Sequence, residues 1–193
     1  MAAVSALIKR IERLSHELLD EETWEHTQRV RKRALLFAAS EHLSEDQKQV
    51  LEIAALLHDI CVANGIPDHG QEGAEQARRI LINLDLPTDV INRVCHCIET
   101  HNEFAKTRPQ TPEAKILSDA DAFEFVGPLG IVRIALGSKR SESDSARSVK
   151  DRILITGKKR AEQLYTEAGK KAFNSWWERE KQFFDDFEHQ LAE

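Results

Sequence analysis

Residues 50–59 read Val50-Leu51-Glu52-Ile53-Ala54-Ala55-Leu56-Leu57-His58-Asp59. Val50, Leu51, Ile53, Ala54, Leu56 and Leu57 cover most of a helical circumference. A helix that is apolar nearly all round is one enclosed by other helices. This segment then ends on an imidazole and a carboxylate, groups that are costly to bury without partners. It therefore predicts a helical core and a polar site set into that core.

Working outward, the helical period continues on both sides. Ile8, Ile11, Leu14 and Leu18 predict a first helix over residues 3–19, and Asp20 offers the N-cap oxygen of a second. In the second helix Val30, Ala34, Phe37 and Ala38 form the apolar stripe. Ser44 and Gln47 have capping-box spacing for the third, which is predicted to stop near Asn64–Gly65, with Pro67 as the break. Asp68 and Gln71 repeat that spacing before a fourth helix through Ala74, Ala77, Ile80, Leu81 and Leu84. Pro87 fits the first turn of a fifth, carrying Val90, Ile91, Val94 and Ile98. Thr111-Pro112-Glu113 starts a sixth. Gly127-Pro128 and Gly130 mark a turn, 137–148 reads as a polar loop, and two further helices are broken near Gly169. No segment alternates at period two, and there is no internal repeat. The expected fold is all-α, a single-domain compact bundle of about seven to nine helices. Its core spans about residues 20–135, with C-terminal helices over 145–191 packing on it.

Composition narrows the function. The chain has 193 residues and a net charge of -6. A general nucleic-acid binder normally carries a basic excess, and with Tyr165 the only tyrosine no aromatic ladder is available for single strands. Long nucleic acid is therefore not an expected partner, whereas a small phosphorylated substrate is not excluded. No apolar run approaches the roughly 20 residues that span a bilayer, so no membrane partner is expected. Cys61, Cys95 and Cys97 are an odd set behind an N-terminus without a signal-peptide pattern, which predicts reduced thiols in a cytoplasm. Trp176, Trp177, Phe183, Phe184 and Phe187 predict core packing in the last helix, with a homodimer seam as the alternative.

Ionisable residues on apolar stripes carry the chemistry. His26 extends the stripe of Val30 and Ala34. His58 continues the line of Leu51, Ala54 and Ala55, with Asp59 directly after it. Adjacent helical residues point about 100° apart, so both reach one ion only over the edge of the helix. His101 shares a face with Ile91, Val94 and Ile98, whereas His96 lies among polar neighbours. His69, upstream of Gly73, Ala77 and Ile80, is placed to look into the same cavity. Asp119 and Asp121 lie in a helix otherwise apolar on a wide arc, and periodicity does not choose between them. Two imidazoles and two carboxylates form a donor set for a divalent ion such as Mn²⁺, Mg²⁺, Fe²⁺ or Co²⁺.

The ordered set Trp24-Glu25-His26-Thr27, His58-Asp59 and Asp119-Ala120-Asp121 resembles the HD-domain metal-dependent phosphohydrolase superfamily, in particular a group of small bacterial HD hydrolases. The runs Val94–His101, Thr111–Asp121 and Gly127–Arg133 also have counterparts there. The resemblance implies that His26, His58, Asp59 and Asp121 are metal ligands, with Asp119 in support. It implies that His69 and His101 face the site, binding a substrate phosphate, assisting proton transfer or holding a second metal. Arg29, three residues after His26, is the candidate phosphate contact, and Asp59 both ligates and steers a water. The implied function is metal-dependent hydrolysis of a phosphate ester or anhydride in a small metabolite, a nucleotide first. The alternatives are an HD-type di-iron oxygenase and a non-catalytic ligand-binding or regulatory module.

Overall fold

The computed structural model describes residues 2–62, 69–137 and 145–192, and among these every regular element is a helix. In chain order they are α1 (Ala2–Leu18), α2 (Glu21–Ser40), α3 (Glu45–Leu57), α4 (His69–Asn83), α5 (Thr88–Glu99), α6 (Pro112–Ala122), a 3-10 turn at Phe123–Phe125, α7 (Gly127–Gly137), α8 (Ala146–Glu162) and α9 (Glu167–Ala192). None is long and apolar enough to cross a membrane. The contacts divide the chain into two compact units, Met1–Asp121 and Ala122–Glu193.

The first unit is built round α3. Its residues Val50, Leu51 and Ile53–Leu57 are all buried, and it packs on α1, α2 and α5, while α4 packs on α5. Local chemistry starts these helices where expected. The Asp20 carboxylate accepts from the Thr23 N–H at 2.8 Å, and Ser44 and Gln47 close a reciprocal capping box. Glu52, the one charged residue inside the apolar run, points outward to Arg31 at 2.6 Å. Arg31 also holds Glu12 at 2.8 Å, so one guanidinium clamps α1, α2 and α3. Arg93 does the same from α5, reaching Glu113 of α6 at 2.7 Å and Asp46 of α3 at 2.6 Å. Cys61, Cys95 and Cys97 are buried and unpaired as disulfides.

Helix α3 ends earlier than its pattern predicts. It stops at Leu57, His58 is the C-cap, and residues 58–61 form a turn. The carbonyls of the last turn are taken by side chains, Ala55 by the His58 imidazole and Leu56 by the Ser15 hydroxyl. Asn64–Gly65, Pro67 and the Asp68 cap lie outside the described residues, as does most of the polar loop at 137–148. Pro87 stands one residue before α5, as its N-cap.

In the second unit one glycine expectation is corrected. Gly130 does not punctuate a turn. It lies inside α7, backed so closely onto the Phe125 backbone that a side chain there would collide. The break expected near Gly169 falls just before it, at 163–166, and Gly169 sits in the first turn of α9 with its N–H on Thr166 Oγ1 at 3.0 Å. The aromatic residues of α9 divide: Phe184 is buried, whereas Phe183 is half exposed.

Gly127 opens α7 at φ +71°, a conformation costly for residues with a Cβ, and Trp176 packs against it. Its N–H donates to Glu180 Oε2 at 2.6 Å. Glu180 is only 2% exposed, and its Oε1 has no partner. Burial pushes this carboxyl up to about 7, against the opposing pull of the Gly127 hydrogen bond. The fold thus retains a proton that the unfolded chain releases near 4.5, so stability falls as pH rises from there to about 7 and stays low above it. Glu180→Gln keeps the acceptor and removes the charge. It is expected to stabilise the protein by about 1–3 kcal/mol at pH 8 and leave it unchanged near pH 4.5. Thermal unfolding at the two pH values reads this directly, and equal gains at both would refute it.

Candidate metal centre

All the imidazoles proposed for the site, and both terminal carboxylates, belong to the first unit. His26 comes from the second turn of α2, His58 from the end of α3, Asp59 from the turn after it, His69 from the start of α4, His101 from just past α5 and Asp121 from the last turn of α6. Helix α3 ends at Leu57, and His58 and Asp59 lie in the turn that follows, over the edge of the helix. There the two adjacent residues serve one site, Asp59 Oδ2 lying 3.5 Å from His58 Nε2.

Asp59 is the hub. Its Oδ2 lies 3.2 Å from His26 Nε2 and 3.5 Å from His58 Nε2. Its Oδ1 lies 3.1 Å from His69 Nε2 and 3.4 Å from His101 Nε2. The two histidine pairs face each other, His26 to His58 at 3.1 Å and His69 to His101 at 3.3 Å between Nε2 atoms. Asp121 Oδ1 stands 3.4 Å from His26 Nε2. Asp119, about 200° round the helix from Asp121, is also buried. Two sets, His26–His58–Asp59 and Asp59–His69–His101, each bring three ligand atoms within 4.8 Å of one another.

The ring orientations are held by helix ends. His58 Nδ1 lies 2.9 Å from the Ala55 carbonyl and His101 Nδ1 lies 2.6 Å from the Ile98 carbonyl. A carbonyl only accepts, so each Nδ1 carries the proton, and each neutral ring turns its Nε2 lone pair toward Asp59. A lone pair facing another imidazole nitrogen and a carboxylate calls for a proton or a cation between them. Ligand atoms about 3 Å apart are what an octahedral ion with bonds of about 2.1 Å imposes. The residues therefore fit a divalent ion, and the mixed nitrogen and oxygen donors suit the first-row and Mg²⁺ range.

The protonation state of His58 agrees with a neutral ring, whereas with no ion between them Asp59 draws His101 toward its charged form. Burial pushes the His58 imidazole down to about 4, keeping it neutral. Burial raises the Asp59 carboxyl, but His58 and hydrogen bonds from His101, His26 and His69 outweigh it and hold the group well below its usual range. Asp121 is likewise held low against burial, mainly by His26. Burial lowers His101, and its hydrogen bond to Asp59 more than reverses that.

Arg29 is half-buried one turn beyond His26 and reaches Glu25 at 3.6 Å. His96, expected among polar neighbours, accepts the Gln110 N–H at 3.0 Å and so pins the loop between α5 and α6. Two contributors escape the sequence reading. Asn102 Nδ2 lies 3.4 Å from His69 Nε2. Gly70 lets α4 approach α5, for a Cβ there would stand 2.9 Å from the Ile98 carbonyl oxygen, the same atom that anchors His101. Each directly follows a site histidine, which is the signal that could have found it.

Gly70→Ala tests the close approach. The helix gains about 1 kcal/mol in propensity, and overpacking against backbone costs about 1–3 kcal/mol. The net expectation is a modest loss of thermal stability together with weakened divalent-ion binding at the His69–His101 corner, read by unfolding and metal titration. A variant as stable as wild type that binds the same ions would show that the spacing is not limiting.

A family model for the HD domain matches residues 23–125, which contain every residue of this centre. No curated protein matches the sequence. The crystal structure of Bacillus subtilis YpgQ is similar at a TM-score of 0.77 and 19% identity, over 97% of this chain and 97% of that one. YpgQ in complex with ADP is similar at 0.74 and 21%, over 97% and 96%. An HD-superfamily hydrolase from Bacillus thuringiensis is similar at 0.77 and 22%, over 98% of each. At such identities these likenesses establish the fold. The family match spans more than half of the 193 residues, and by it the chain belongs to the HD-domain family.

Proposed function

We propose that the chain is a metal-dependent phosphohydrolase acting on a small phosphorylated metabolite, a nucleotide first. The observation that carries the reading is the Asp59 carboxylate shared between two facing histidine pairs in a buried pocket of donors. The complex of YpgQ with ADP supports the choice of a nucleotide.

His26, His58, Asp59 and Asp121 would hold the ion, which when bound makes hydroxide available near neutral pH and offsets charge on the phosphoryl oxygens. The protein's own groups do the rest. Asp59 accepts a hydrogen bond from the attacking water and aims it at phosphorus. The water oxygen forms the new P–O bond as the P–O bond to the leaving group breaks. One water proton stays on the released phosphate, and the other is relayed to the leaving oxygen through His69 or His101, whose Nε2 atoms line the same carboxylate. Arg29, on the same helix as His26, is assigned to the phosphate.

The second donor set, Asp59–His69–His101, also favours a reading with two ions, and with two irons the di-iron oxygenase alternative. Metal analysis joined to a panel of nucleotides and phosphoesters decides between them. Phosphate release with added Mn²⁺ or Mg²⁺ is expected, and Asp59→Ala and Asp121→Ala, with the fold intact by circular dichroism, are expected to lose about 100-fold or more of it. Two irons per chain with oxygen uptake and no phosphate release would reject the hydrolase. Variants as active as wild type would reject the site.

A further inference from the structure

The atoms that line Asp59 Oδ1 are rich in electrons: the carboxylate itself and the inward Nε2 atoms of His69 and His101. Asn102 is the exception. Its Oδ1 accepts the Phe104 N–H at 2.9 Å, a local turn that fixes which way the amide faces. The Nδ2 end is therefore directed to the corner, 3.4 Å from His69 Nε2. That is a long contact for one N–H, and the amide has two. Among the described residues no other protein acceptor meets Nδ2.

The loop that carries Asn102 is tied down. Lys106 Nζ donates to Gln71 Oε1 at 3.0 Å, two residues past His69. Gln110 N–H donates to His96 at 3.0 Å. Gly70 keeps α4 bare beneath the amide, since a Cβ there would come within 3.3 Å of Asn102 Nδ2. A neutral donor fixed beside ligands that attract cations has little to offer the cation. It suits an anionic oxygen brought in next to the cation.

Resting on the phosphohydrolase reading, we infer that Asn102 is a substrate-binding residue that donates its Nδ2–H to a non-bridging oxygen of the phosphoryl group at the His69–His101 corner. The ligand it selects is a terminal phosphate, not the base or sugar of a nucleotide.

The test uses the full chain, titrated first with Mn²⁺ and then, loaded, with inorganic phosphate, both by calorimetry. Asn102→Ala removes the donor. Asn102→Asp keeps the Phe104 turn and replaces the donor by an anionic acceptor. The expectation for Asn102→Ala is Mn²⁺ affinity within about twofold of wild type and phosphate affinity reduced about tenfold or more, the range for a hydrogen bond to a charged group. Asn102→Asp is expected to bind Mn²⁺ more tightly and phosphate more weakly still. If Asn102→Ala binds phosphate as wild type does, the assignment fails alone. If it loses Mn²⁺ and phosphate in parallel, Asn102 only orients His69 and the assignment also fails. If loaded wild type binds no phosphate and releases none from any phosphoester, the parent reading fails with it.

Discussion

The carboxylate of Asp59 is buried and ionised, and the structure round it is arranged to make that tolerable. An isolated charge in such a place is costly enough that the group would ordinarily take up a proton. Four imidazoles line its two oxygens with Nε2 atoms at 3.1–3.5 Å, and a proton or cation held among these atoms offsets the charge. The imidazoles come from four segments of chain, so the constraint reaches from α2 to the second residue after α5. Helix α3 ends at Leu57, so His58 and Asp59 meet the cluster from its C-terminal edge. Helix α4 must start against α5 for His69 to meet His101.

Backbone carbonyls convert this electrostatic demand into geometry. The last turns of α3 and α5 leave acceptors that a helix cannot satisfy internally. His58 and His101 take Ala55 and Ile98, each three residues back. One hydrogen bond thus finishes a helix and selects the tautomer that points a lone pair inward. The same Ile98 oxygen limits how near α4 can come, which is why a glycine follows His69. Arg93 also ties α5, which leads into His101, to α6, which carries Asp121, through the buried Glu113. Stability and site geometry are here the same set of contacts.

Much of this was legible in the sequence because burial imposes a period. The helices round α3 repeat their apolar residues every three or four positions, and His26, His58 and His101 interrupt those stripes in a way water-facing residues do not. Asp119 and Asp121 were not separable, since an apolar helix has no dry face to mark. The end of α3 was also hidden. Leu57, His58, Asp59 and Ile60 keep an acceptable helical pattern, and only the competing bonds to Ala55 and Leu56 show that the helix has stopped. Gly130 reads as a turn, and Gly169 as close to a break, because glycine disfavours helices on average. A close neighbour at Gly130 and a capping threonine before Gly169 override that average, and neither is local information. Asn102 and Gly70 carry no pattern at all. Their meaning lies in what stands three ångströms away.

The negative charge of the chain fits this arrangement better than it first suggests. With Asp59 and Asp121 ionised and His58 neutral, the bare cluster is a poor place for a phosphate. Its field changes sign only with a cation among the Nε2 atoms, since a bound ion is the largest charge in such a site. On the proposed reading, electrostatics would then set the order of events, ion before anion. Selectivity for a small phosphorylated ligand would, on the same reading, follow from where the positive charge sits: concentrated at one buried point, with Arg29 on the helix of His26, instead of spread over a surface. A polyanion needs many spaced cations, and a net charge of -6 leaves the surface without that excess. A single phosphoryl group needs only one such point and a donor to orient it.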